Sequence, residues 1–392
     1  MGGFEASSHC NGLRERIDMI AGTRHEEFAL VDYQLLQSQG MQVARDAFRW
    51  HLIDSGTANL NFSSALSQIR AAVATQTQVI WSLSHYGYPD DLDLFSAEFV
   101  DRYVRFSVAA ARLLREHTDE VPYFTPINEI SFFTWAGSGP GMAPYAQGRD
   151  AELKRQLVRA SLAACRELRS FDPRTRFVYP EPIIQVVPPL LRPDLTAAAA
   201  EATESQFEAW DMIAGLKAPE LGGTIDMLDI LGMNFYHSNQ WELGAGRIEW
   251  EKSPRDLRWT PLSQLMQRVW LRYQRPLFLA ETSHVGVGRP AWILEVAHEI
   301  AHAHTMGVPL EGVCLFPILD RYEWDNPSHW HNSGLWDLNI SDNSYRRILN
   351  SPYADALIAA TAITINASAG LAPQMLSEVG TLAVLQQSYK EP

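Results

Sequence analysis

The sequence predicts an α/β chain folded as one (β/α)8 barrel. Eight short β-rich runs recur along its 392 residues with ends about 37 to 55 residues apart, each followed by a stretch of helical period. That interval holds one strand, one helix and two loops. Runs such as Gln78-Val79-Ile80-Trp81-Ser82-Leu83 are apolar on both faces, as parallel strands covered by helices must be.

The expected strands are Gly3 to Ser7, Gln42 to Ala47, Gln78 to Ser84, Tyr123 to Ile127, Arg176 to Tyr179, Met227 to Phe235, Pro276 to Ala280 and Gly312 to Ile318. After the third, Phe95, Phe99, Tyr103, Phe106, Ala110 and Leu113 recur at steps of three and four, which places them on one helical stripe. Leu153, Leu157, Ala164 and Leu168 repeat the pattern behind Asp150, the expected N-cap. Gly40 and Gly307 stand where a helix must stop before the next strand. The β and α segments alternate without a linker, so residues 1–392 are read as a single domain with a helical, alanine-rich tail from about residue 351, packed outside the barrel.

Composition excludes several functions. With 46% hydrophobic and 20% charged residues the chain is ordinary for a globular protein. A formal charge of −14 would repel nucleic acid and anionic lipid surfaces, so neither is an expected partner. No secretory signal or membrane-length apolar run is visible. Cys10, Cys165 and Cys314 lack the spacing of a metal site or disulfide framework, which fits a reducing, cytoplasmic setting. No cofactor is expected.

In such a barrel the reacting groups sit where strands end, because the βα loops make the open face. Those ends carry Arg45, His85, Asn128-Glu129, Glu181, Asn234 and Tyr236, Glu281, and the segment Asp320 to Trp324. A glutamate directly after an apolar strand is costly to bury without compensating partners. Glu129 and Glu281 both sit there, on strands four and seven of eight, hence across one cleft. Glycoside cleavage uses such a pair, one acid to protonate the leaving oxygen and one carboxylate on the sugar's other face. Carboxyls about 5 to 5.5 Å apart retain anomeric configuration, and a wider gap admits water and inverts it.

Six segments in order then resemble family 1 glycoside hydrolases, the β-glucosidase family. Thr125-Pro126-Ile127-Asn128-Glu129 is similar to that family's Thr-x-Asn-Glu-Pro, and Ala280-Glu281-Thr282-Ser283 to its Thr-Glu-Asn-Gly. Arg45-Asp46-Ala47-Phe48-Arg49-Trp50 resembles Arg-Phe-Ser-x-Ser-Trp, and Ser84-His85-Tyr86-Gly87-Tyr88-Pro89 resembles Tyr-His-Trp-Asp-Leu-Pro. Gly232-Met233-Asn234-Phe235-Tyr236 matches Gly-x-Asn-Tyr-Tyr, and Leu319-Asp320-Arg321-Tyr322-Glu323-Trp324 matches Leu-Asp-Asn-Phe-Glu-Trp.

The resemblance implies a retaining, exo-acting β-glycosidase acting on a small β-glycoside or short oligosaccharide. Glu281 would be the nucleophile, held ionised by Arg45 and the Tyr236 hydroxyl, and Glu129 the general acid/base with a raised pKa. Asn128 would hold the sugar 2-hydroxyl, while His85, Tyr86, Asn234, Glu323 and Trp324 would line the sugar site. Trp135 is either a platform for the leaving group or loop packing. The chain departs from the family at Ile130 (family Pro), Tyr86 and Phe316 (family Trp), and around Glu5-Ala6-Ser7-Ser8-His9 (family Gln). The sugar-binding walls are therefore altered, and His9 or Glu5 would replace the missing amide. Glu181 reads as a binding or structural carboxylate. Between Asp320 and Leu338 the only basic residues are Arg321, His329 and His331, which argues for unphosphorylated sugars.

Two rival readings stay open. His298-Glu299-Ile300-Ala301-His302 fits the His-Glu-x-x-His pattern of zinc peptidases, although its helix stripe Ile293, Val296, Ile300 and Ala303 should face the barrel and leave His298, His302 and His304 toward solvent. The chain could also be a sugar-binding barrel without chemistry.

Overall fold

A computed structural model describes residues 1–369. Eight parallel strands close into a barrel: β1 (Gly2–Gly3), β2 (Val43–Ala47), β3 (Gln78–Ser84), β4 (Tyr123–Ile127), β5 (Arg176–Pro182), β6 (Ile230–Asn234), β7 (Leu277–Thr282) and β8 (Leu310–Leu315). Each pairs with its neighbours in sequence, and β1 closes the ring between β2 and β8. Small two-stranded sheets decorate the loops.

The strands β3 and β4 have the expected bounds; the others differ at their ends. β1 is shorter than expected because only Gly2 and Gly3 pair in the ladder, after which Phe4 N–H still reaches the Arg45 carbonyl at 2.9 Å and the chain peels away over the barrel mouth. β8 lies earlier than expected, its register beginning with Leu310 beside Leu277, and Phe316 to Ile318 form the turn beyond it. β6 starts three residues later than expected, at Ile230, whereas β5 and β7 run on to Pro182 and Thr282, so Glu181 and Glu281 belong to the strands themselves. The β6–β7 register slips between Met233 and Asn234, leaving Ala280 as the extra residue immediately before Glu281. A slip of this kind bends the strand and re-aims the side chain that follows.

Inside the barrel, Val43, Ile80, Val178, Ile230, Phe278, Ala280 and Cys314 form one apolar layer beneath the site. On β2 the alternation places Val43 and Arg45 inward, while Ala44 joins the outer core and Asp46 meets the surrounding helices. There Asp46 accepts from Tyr33 at 2.8 Å and Gln68 at 2.6 Å, and His25 bridges Asp46 and Asp32 at 3.1 and 2.8 Å. Burial opposes a charge on His25, yet the two carboxylates raise its pKa to about 9. Arg347 completes this interior network by pairing with Asp32.

The helices follow most of their predicted stripes, though Phe95 precedes the helix Ala97–His117 and Leu113 in it is only partly buried. Ala97–His117 buries Phe99, Tyr103, Phe106 and Ala110 and is capped by the Ser96 hydroxyl, which accepts from Phe99 N–H at 3.2 Å. Asp150–Phe171 buries Leu153, Leu157, Ala164 and Leu168. Asp150 sits in its first turn, where a negative charge suits the helix dipole, while Arg149 holds the cap position. Gly40 and Gly307 have φ of 72° and 80°, the left-handed stop that the sequence required. The helix Ser351–Ala369 packs against Arg289–Thr305; the end of the expected tail lies outside the described residues. No helix among the described residues is long and apolar enough to cross a membrane.

A Cβ on Gly3 would stand 2.2 Å from the ring of Phe316, so β1 and the turn after β8 touch only because that side chain is absent.

Candidate active site

At the open end of the barrel, Arg45, Asn128, Glu129, Asn234, Tyr236 and Glu281 converge, all buried or nearly so. The Glu281 carboxylate accepts from Arg45 Nη1 at 2.8 Å and from the Tyr236 hydroxyl at 2.8 Å. Arg45 also donates to the Ala280 carbonyl and, through Nη2, to Asn128 Oδ1, each at 2.8 Å. Asn128 in turn approaches His85 Nε2 and the Tyr86 hydroxyl, both at 3.2 Å.

Glu129 follows β4 with φ of 46°, and Tyr86 just past the end of β3 has φ of 68°; both are left-handed, a conformation that costs a non-glycine residue energy. The Tyr86 hydroxyl donates to Glu129 Oε2, and Asn234 Nδ2 donates to Oε1 at 2.8 Å. Burial, then the charge of Glu281, pushes the Glu129 pKa up to about 8 against the opposite pull of these two donors. One hydrogen-bond chain through Arg45, Asn128 and Tyr86 links the two carboxyls, and Arg45 pairs with Glu281.

Around them stands a wall of rings. His9 lies 4.7 Å from Trp324, Tyr86 6.0 Å from Trp324, and Phe132 bridges Trp324 at 5.9 Å and Trp135 at 5.7 Å between centroids. Trp135 is 74% exposed, placing it on the rim. Phe316 stacks on His85 at 5.8 Å and lies 5.1 Å beneath the Arg45 guanidinium, making the floor. Burial lowers the His9 pKa to about 4, so its ring is neutral near pH 7. His9 Nδ1 and Trp324 Nε1 are buried without a hydrogen-bond partner among the described residues. Glu323 is less enclosed than expected, with 46% of its side chain exposed and His331 at 3.8 Å.

Sequence reasoning missed two features, Phe132 and the pairing of Glu5 with Arg321. Phe132 had no motif to flag it. Arg321 was weighed only as a phosphate ligand, yet its Nε lies 3.4 Å from Glu5. Glu5 also accepts from Ser7 N–H at 2.9 Å and Ser7 hydroxyl at 2.6 Å; burial acts to raise its pKa, but Arg321, His85 and Ser7 outweigh it and hold it below the usual range. Glu181 accepts from the Ser131 N–H at 3.0 Å in the first turn of helix Ile130–Gly137, and burial raises its pKa to about 7. Its present partners are those of a helix-capping group.

The His-Glu-x-x-His segment lies on the outer helix Arg289–Thr305. His298 and His302 are exposed, while Glu299 is tied to the Ser263 N–H and hydroxyl at 2.8 and 2.6 Å. His304 is buried, contrary to expectation, because it turns back under the strand that follows, where Leu310 bonds to it.

With this geometry in view, solved structures sharing the architecture can be named. A family 1 β-glucosidase from Thermotoga maritima is 15% identical, with a TM-score of 0.69 over 87% of either chain. The fold is that of the family 1 β-glucosidases. The AHE enzyme from Alicyclobacillus herbarius gives 0.69 at 15% identity, covering 86% of this chain and 88% of that one. A hyperthermophilic β-glucosidase mutant gives 0.67 at 16% identity over 86% and 88%. No protein-family model matches the chain, and no curated protein matches it at a significant level. In this chain Glu129 lies two residues past the end of β4 and Glu281 within β7.

Proposed function

We propose that the chain is a retaining, exo-acting β-glycosidase that releases the terminal sugar of small, unphosphorylated β-glycosides. The Glu281 carboxylate attacks the anomeric carbon while Glu129 gives its proton to the departing oxygen, leaving a glycosyl ester on Glu281 and an ionised Glu129. Glu129 then takes a proton from water, whose oxygen attacks the same carbon and frees Glu281. Arg45 and Tyr236 keep the nucleophile charged and aimed, and Asn128 offers its amide to the 2-hydroxyl. His85, Tyr86, Asn234, His9 and Trp324 line the sugar site, Phe316 forms its floor, Glu323 closes it from the rim, and Trp135 receives the aglycone.

The electrostatic contrast supports this reading most directly. Glu129 is kept protonated up to about pH 8, while Glu281 is paired with a buried arginine. Arg321, engaged by Glu5, leaves little cationic charge for a phosphate and favours neutral sugars. The free thiols of Cys10, Cys165 and Cys314 favour action in a reducing compartment such as the cytoplasm.

A panel of aryl β-glycosides followed by NMR of the first-formed anomer tests the proposal. Turnover with retained β configuration, abolished in Glu281→Gln, is expected. Glu129→Gln should stop turnover of substrates with poor leaving groups and spare part of it for activated ones. An inverted product, or wild-type protein inert across the panel, would replace it with an inverting enzyme or a sugar-binding barrel respectively.

A further inference from the structure

We propose that His237, Glu251 and His284 form a binding site for a zinc-class divalent cation, beside the paired glutamates and separate from them. Each offers one ligand atom, and the three atoms lie within 4.8 Å of one another. Two imidazoles and a carboxylate are a donor set that suits zinc, and three protein ligands leave a fourth position for water.

The groups arrive from two loops. His237 is the residue after Tyr236, and His284 lies two residues past the end of β7. Glu251 stands at the foot of a hairpin leaving β6, in which Trp241 bridges Arg247 and Ile248 N–H reaches the Gln240 carbonyl at 2.8 Å. His284 Nε2 is 3.2 Å from Glu251 Oε1, close to the edge of about 3.3 Å expected of a tetrahedron with bonds of about 2.0 Å.

An independent sign is His237 Nδ1, buried with no hydrogen-bond partner among the described residues. An orphaned buried nitrogen is costly, and a metal bond would satisfy it. The His237 and His284 rings approach to 4.2 Å at a tilt of 39°, with Trp250 at 5.1 Å and Trp292 at 5.8 Å walling His284.

His284 Nδ1 lies 2.8 Å from the Val285 N–H and 3.0 Å from the Val285 carbonyl. Without a cation, Nδ1 accepts from that N–H and Nε2–H donates to Glu251. With one, the proton moves to Nδ1 and is donated to the carbonyl, which frees the Nε2 lone pair in the way second-shell carbonyls orient metal-bound histidines. Glu251 also accepts from Arg247 at 3.0 and 3.1 Å, one bond per oxygen, and each oxygen keeps a further lone pair. The cation would clamp the hairpin to the end of β7, immediately behind the tyrosine that holds Glu281.

Chelator-treated protein titrated with Zn2+ and with Co2+ tests the site, read by calorimetry, the Co2+ visible spectrum and melting temperature. Wild type should take up one ion per chain, show tetrahedral Co2+ bands and melt higher when loaded. His284→Ala should weaken uptake at least about 100-fold, and Glu251→Gln, a change on a partly exposed side chain that keeps the fold, at least about tenfold. The double variant His298→Ala/His302→Ala should bind like wild type. Absence of tight Zn2+ uptake in wild type, uptake unchanged in Glu251→Gln, or uptake abolished in the His298/His302 variant would each overturn the assignment.

Discussion

Replacing Tyr86 with phenylalanine removes one hydroxyl and keeps the buried ring in its contacts with His9, His85, Phe132, Phe133 and Trp324. That hydroxyl donates to Glu129 Oε2 and pulls its pKa down against burial and Glu281. A hydrogen bond to a charged acceptor contributes about 1.5–3 kcal/mol and one to a neutral partner about 0.5–1.5. The difference, about 1 kcal/mol or somewhat more, corresponds to roughly one pH unit. In Tyr86→Phe the Glu129 pKa should therefore rise from about 8 toward about 9. Because the acid step needs the protonated form, the alkaline limb of kcat/KM should move up by the same amount. Hydrolysis of the glycosyl ester, which needs ionised Glu129, should slow with substrates whose leaving groups make that step limiting. Direct carboxyl NMR of labelled Glu129 gives the pKa without relying on turnover. An unmoved limb, or one displaced toward acid, would refute the role given to the hydroxyl.

Three other perturbations follow from buried charges and the rim. Arg45→Met strands the Glu281 carboxylate with Tyr236 as its remaining partner, so stability should fall by about 3–5 kcal/mol in urea unfolding, and adding Glu281→Gln should restore most of it; a loss below about 1 kcal/mol would contradict this. His25 has a folded pKa of about 9 against about 6.5 unfolded, so its contribution, on the order of 3 kcal/mol, is complete below about pH 6.5 and disappears as pH rises through 9. His25→Gln should flatten that decline in melting temperature between pH 6 and pH 10, and a parallel curve would be the contrary result. Trp135→Ala should raise KM for aryl glycosides several-fold, about 1 kcal/mol, with kcat nearly unchanged and methyl glycosides unaffected; equal effects on both substrates would remove Trp135 from the aglycone platform.

Legibility of the sequence varied with the physics of each segment. β3 and β4 could be bounded to the residue because β3 is framed by Thr77-Gln78 and Ser84-His85, while Pro122 precedes β4 and Asn128 stops it. β1 could not, since Phe4 to Ser8 stay extended and hydrogen-bonded at intervals without forming a ladder. The carboxylate pair was readable because strand order places β4 opposite β7. Phe132, the Glu5–Arg321 pair and the His237–Glu251–His284 cluster were not, because each depends on residues far apart in sequence meeting through loops whose course no local pattern records. The misreading of His304 has the same root. Periodicity assigns a face on one helix and is blind to a returning strand.

The contact between Gly3 and Phe316 ties the chemistry to the barrel's shortest stave. Phe316 supports both Arg45 and His85 from below, so a single methyl group on β1 would lift the floor and tip the guanidinium away from the carboxylate it steadies. A position holding no side chain thereby fixes how deep the Phe316 ring can sit under the Arg45–Glu281 pair, at the seam where the ring of strands shuts.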